Sequence, residues 1–136
     1  MSIDRWTPAY APAWFDEAMN DVVVGHSERQ RPLEVFGLFL RTAAGRYLAW
    51  PVEVRANVDG FLVLPQDLIR VAYLLEQQER TVVGTFHSHP GGVVREMSTA
   101  DGFLVRWGST HALCIYDLPS AAWTVRWFRA TEPGIG

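Results

Sequence analysis

Two histidines spaced one residue apart, His87-Ser88-His89, followed at once by Pro90, are the first residues of this chain whose types and spacing suggest chemistry. On a β-strand, residues i and i+2 face the same side, so two imidazoles about 7 Å apart at the backbone can converge on one point. Pro90 cannot donate to a sheet ladder. The strand is therefore expected to end there, leaving the pair at an exposed edge or tip that a substrate can reach. Asp101 follows, in the first turn of an expected helix that the Pro90-Gly91-Gly92 loop can fold back over the histidines. His87, His89 and Asp101 make three protein ligands, which leaves a tetrahedral Zn²⁺ its fourth position for water, the open form of a catalytic zinc site. Water held there ionises near pH ~7 instead of ~15.7. A carboxylate must still carry the proton to a leaving amine, and Glu34, the only acid in an otherwise apolar strand, is the expected general acid/base. The Ser98 hydroxyl is the expected donor to the oxyanion that develops on an attacked carbonyl.

His87-x-His89-Pro90, seven residues, Ser98, two residues, Asp101 resembles the signature of the JAMM (MPN-domain) zinc metalloproteases, in its small stand-alone bacterial type. The upstream glutamate of that family sits in a Pro-x-Glu-x-Cys-Gly context, and Pro32-Leu33-Glu34-Val35-Phe36-Gly37 matches it except at Phe36. Met97 stands where a proline commonly precedes the serine, and Arg41 replaces a frequent glycine; neither change removes a chemical group from the site. The resemblance implies zinc on His87, His89 and Asp101, with Glu34 as acid/base and Ser98 stabilising the tetrahedral intermediate. It further implies hydrolysis of an amide or isopeptide bond at the Gly-rich C-terminal tail of a ubiquitin-like or sulfur-carrier protein. A JAMM-type peptidase acting on a cell-wall or phage-related peptide is the alternative within the family. A non-catalytic MPN scaffold is the alternative outside catalysis, and the complete set of five groups argues against it.

Plainer readings exist for each residue. A His-x-His pair alone is often two ordinary strand residues, and Ser98-x-x-Asp101 is also a plausible helix N-terminus with a capping serine. Glu34 can be a hairpin carboxylate paired with Arg31 or Arg41. His26 and His111 read as helix-end and strand residues without such company. Cys114 lies in an apolar run with no flanking base, so burial is expected rather than nucleophilic chemistry.

The elements that must position these residues follow from periodicity. Phe15, Met19, Val22 and Val23 recur at helical spacing between Pro12 and about Arg29, which predicts an amphipathic helix packed on a sheet. Leu33 to Arg41 and Tyr47 to Val54, joined by a turn-like break, predict a β-hairpin. Pro65 opens a second periodic segment of about 14 residues, and residues 81–87 form an expected central strand. A short helix from Ser98 through Trp107 and two strands, Thr110 to Asp117 and Ala122 to Arg129, complete the pattern. The expected fold class is α+β, a mixed, mostly antiparallel sheet flanked by helices; the family resemblance implies, more narrowly, a JAMM/MPN-like sandwich of the cytidine-deaminase type. The six tryptophans are expected in the core or on a protein-contact surface, with Trp123 and Trp127 on one strand face.

A chain of 136 residues that is 49% hydrophobic and 20% charged is expected to be one folded domain with a single active site. Its net charge of −3 offers no whole-molecule attraction to nucleic acid. No apolar run approaches the ~20 residues that span a bilayer, and the first residues lack the blocks of a signal peptide, so the expectation is a cytoplasmic protein. All 12 basic residues are arginine, a usage expected of a GC-rich genome.

Overall fold

A computed structural model describes residues 5–56, 61–62, 65–91 and 107–131. Along the chain run β1 (Arg5–Ala9), α1 (Glu17–Gln30), β2 (Phe36–Arg41), β3 (Tyr47–Val52), β4 (Arg55–Ala56), β5 (Phe61–Leu62), α2 (Pro65–Gln77), β6 (Thr81–His89), β7 (Thr110–Asp117) and β8 (Ala122–Thr131). Six of the strands form one sheet in the order β1-β8-β7-β6-β2-β3, and β4 and β5 form a separate two-stranded ribbon. Every neighbouring pair in the large sheet is antiparallel except β6 and β7, so the sheet is mixed, as the pattern of elements implied.

Strand β6, rich in β-branched residues and flanked on both sides, occupies the middle of the sheet. Alternation sends its side chains to two different layers. Phe86 joins Phe39, Ala112, Cys114 and Trp127 under Met19 and Val23 of α1. On the opposite face Phe36, Leu38 and Leu40 pack with Val71 and Leu75 of α2. Because Phe36 pairs with His87 and Leu38 with Thr85, the histidines of β6 belong to this second face. Gly37 lies opposite Phe86, whose ring crosses the strand so closely that a Cβ at Gly37 would stand 2.0 Å from Phe86 Cζ. The glycine of the Pro-x-Glu-x-x-Gly segment thus has a packing reason: only a residue without a side chain admits that ring.

Two local features, the start of α1 and strand β1, differ from expectation, while the tryptophans pack into the core as expected. Helix α1 begins at Glu17 rather than near Pro12, because the Asp16 side chain caps it, accepting from the Met19 N–H at 2.9 Å. The Phe15 N–H donates to the Pro12 carbonyl, which closes residues 12–15 into a turn. Strand β1 carries Pro8 and sits at the sheet edge, where a missing donor is tolerated. The tryptophans divide: Trp14, Trp123 and Trp127 pack on the α1 side, Trp14 stacking on Tyr47 at 5.3 Å, whereas Trp6 packs on the other face. The expected helix from Ser98 lies outside the described residues, apart from Trp107.

Candidate metal centre

The last residue of β6 is His89, and Pro90 follows in a turn, so the strand stops where proline requires. His87 and His89 share a face, and their Nε2 atoms stand 3.1 Å apart. Two nitrogens each bound at ~2.0–2.1 Å to one tetrahedral zinc are separated by roughly 3.3 Å, so the pair is already spaced like two corners of such a site. Glu34 joins them: its carboxylate and the two imidazoles bring ligand atoms within 4.8 Å of one another. Two imidazole nitrogens and a carboxylate oxygen are a donor set suited to zinc.

The approach of Glu34 follows from strand register. Phe36 pairs with His87 and Gly37 with Phe86; continuing that ladder two residues sets Glu34 opposite His89, on the histidine face. Ser88, pointing the other way, fastens the junction. Its fully buried hydroxyl accepts from the Val35 N–H at 2.9 Å, and its own N–H donates to the Val35 carbonyl at 3.2 Å. The residue between the two histidines therefore holds the segment that delivers the carboxylate.

Burial corrects one expectation. His87 is 0% exposed and so is not at an open tip; only His89 and Glu34 are partly exposed. The reason is the central place of β6, whose neighbours cover a side chain two residues inside the strand end. An open cleft of about 580 Å³ carries Glu34, and neither histidine of the cluster, on its wall, between His26 and Gln30 of α1 and the Pro51–Glu53 stretch. His26 is held below its ordinary pKa by partial burial and by the nearby Arg29 charge. Arg31, one of the partners considered for Glu34, donates to Glu28 at 3.3 Å and lies 4.3 Å from the Tyr116 ring centroid.

His111, read from sequence only as a strand residue, is also part of this arrangement. Its Nε2 lies 2.6 Å from His87 Nδ1, its Nδ1 is hydrogen-bonded to Thr85 Oγ1, and both His111 and Thr85 are fully buried. Burial, followed by the charges His87 and His89 would carry, pushes His111 well below its ordinary pKa. A parity argument could have placed Thr85 with His87; nothing local signals that β7 runs parallel beside β6 and brings His111 opposite Thr85. Ser98 and Asp101, the remaining expected site residues, lie outside the described residues. Cys114 is buried on the opposite face, and burial pushes its thiol up to about 12, in keeping with an inert packing residue.

Fold and cluster together define an α+β domain with a His-x-His pair and a glutamate that can hold a metal ion. Residues 16–125 match the family described as prokaryotic homologs of the JAB domain. The chain belongs to that family, within the JAMM/MPN group that the motif resembles. It is also 38% identical over 73 residues to a UPF0758 protein of Stutzerimonas stutzeri strain A1501, and 37% identical over 78 residues to those of Ectopseudomonas mendocina strain ymp and Azotobacter vinelandii strain DJ. These matches take in 54–57% of this chain but only 31–33% of the relatives, so the chain spans about a third of their length. The solution structure of protein DSY2949 from Desulfitobacterium hafniense superposes with a TM-score of 0.57 at 16% identity, over 85% of this chain and 87% of that one, a likeness of fold.

Proposed function

We propose that this chain is a zinc-dependent JAMM-type hydrolase that cleaves an amide or isopeptide bond at the Gly-rich C-terminal tail of a ubiquitin-like or sulfur-carrier protein. The observation that carries the reading is the convergence of Glu34, His87 and His89 within 4.8 Å at the end of β6. His87 and His89 hold the ion, and Asp101 supplies the third ligand on the strength of the motif spacing. The bound ion supplies Lewis acidity, polarising a carbonyl and making water a competent nucleophile near neutral pH. Glu34, beside the histidines and on the wall of the cleft, takes the proton from the attacking water and returns it to the leaving amine. Ser98 donates to the developing oxyanion, again by motif spacing. The cleft supports an extended substrate: it borders β3, the edge strand of the sheet, and a tail ending in glycines passes where side chains would collide.

The test is hydrolysis of a sulfur-carrier protein bearing one residue beyond its Gly-Gly terminus, followed by mass spectrometry. The zinc-loaded protein is expected to remove that residue, and Glu34→Gln to keep zinc while slowing the reaction by roughly 10²–10⁴-fold. A protein that holds zinc and hydrolyses another peptide while leaving this tail intact contradicts the substrate; loss of zinc in Glu34→Gln makes Glu34 a ligand instead of the acid/base.

A further inference from the structure

We propose that His111 and Thr85 are positioning residues for the metal centre, forming a buried relay that fixes the tautomer and ring plane of His87. The inference rests on the metal-binding reading above and assigns a role to residues outside the motif. Its basis is geometric. His87 Nδ1 lies 2.6 Å from His111 Nε2, the two ring centroids are 4.7 Å apart, and the far nitrogen of His111 is bonded to Thr85 Oγ1.

Only one arrangement of protons suits a ligand. To bind through Nε2, His87 must keep that nitrogen unprotonated, so its single proton sits on Nδ1 and is donated to His111 Nε2. His111 Nε2 must then be bare, its own proton sits on Nδ1, and that proton is donated to Thr85 Oγ1. The opposite direction, with the threonine hydroxyl donating inward, would leave a proton on His87 Nε2 and close it to the metal. Thr85 can act either way, and metal binding selects the direction. Metal-ligating histidines commonly give their second N–H to a carboxylate, a carbonyl or water. Here the acceptor is a neutral imidazole, which sends no negative charge toward the ion.

The surroundings show why the relay is more than packing. His111 lies among apolar side chains: it pairs with Phe128, its ring is 5.7 Å from that of Trp6, and it is fully buried. An apolar residue there would avoid burying two polar nitrogens; the imidazole is tolerated because each nitrogen has a partner, one of which is the candidate ligand. His87, 0% exposed, has no bulk water to bond its Nδ1, so His111 is the group that satisfies it.

The experiment measures zinc affinity by competition with a chromophoric chelator and reads the histidine tautomers by long-range ¹H–¹⁵N NMR, for wild type, His111→Leu, His111→Gln and Thr85→Val. The expected result is a loss of about 10–100-fold in affinity for His111→Leu. His111→Gln, whose Oε1 can accept from His87 Nδ1 and whose amide can donate to Thr85, is expected to recover most of it. Thr85→Val should lose several-fold and release His111 from a single tautomer. Zinc-loaded wild type is expected to show His87 protonated at Nδ1. Folded His111→Leu with wild-type affinity overturns the relay while leaving the metal reading intact. Wild type without measurable zinc affinity overturns both. Should His111→Leu fail to fold, Thr85→Val decides, and wild-type affinity with an unchanged His111 tautomer overturns the proposal.

Discussion

Strands β6 and β7 present one set of side chains to α1 and another to the side where α2 packs, and the two sets differ in kind. Toward α1 stand Phe86, Ala112 and Cys114, closed over by Met19, Val23, Phe39 and Trp127. The polar groups there bond to the backbone: Ser27 donates to the Val23 carbonyl at 2.8 Å and Ser88 accepts from the Val35 N–H. On the other face the same two strands bury Thr85, His87 and His111, which bond to one another and end at the Glu34 cluster. One alternation of parity separates a layer whose polar groups serve the backbone from a layer whose polar groups serve each other. Polar groups buried together at this expense are where function is sought first.

This contrast is broken most severely by Phe39→Ala. Phe39 is fully buried, with ring contacts to Trp14, Phe15, Phe86 and Trp127. Its truncation should lower stability by about 3–5 kcal/mol in urea unfolding. Zinc affinity of the fraction that remains folded should not change. If affinity falls in step with stability, the two layers are not separable.

A smaller effect is expected at the Cys114 thiol. The Cys114 pKa is raised from 9.0 to about 12, chiefly by burial, with the Ser27 hydrogen bond opposing. A raised folded pKa means that the unfolded chain gives up its proton first. The contribution is therefore fully present below pH 9 and is lost as pH climbs toward 12. Urea unfolding at pH 9 and pH 10 should show a loss of about 1 kcal/mol in wild type that Cys114→Ala lacks. Equal losses in the two proteins would place that alkaline sensitivity elsewhere.

Much of this was legible in the sequence, for reasons that differ by residue. The hairpin of β2 and β3, the helix after Pro65 and the last two strands follow from apolar periodicity and turn residues. The pairing of His87 with His89 follows from strand parity, and Glu34 from its motif. Strand β1 was hidden because it is five residues long and carries Pro8, tolerable only at an edge that local sequence does not reveal. The start of α1 is not legible because Pro12 suits a first helical turn as well as the turn it makes. Ser88 and His111 escaped because both act across strands. Ser88 faces away from the histidines it separates, and His111 reaches His87 only through the parallel register of β6 and β7. Such non-local pairings are set by the whole sheet, and no window of sequence contains them.

We propose a metal site at the end of β6, built on His87 and His89. Zinc content after exhaustive dialysis, measured on wild type and on His89→Ala with circular dichroism to verify folding, tests it most directly. About one zinc per wild-type chain is expected and none in folded His89→Ala, because the two ligands then left of the proposed set, His87 and Asp101, fall short of three. Zinc retained by His89→Ala at the wild-type level would contradict it.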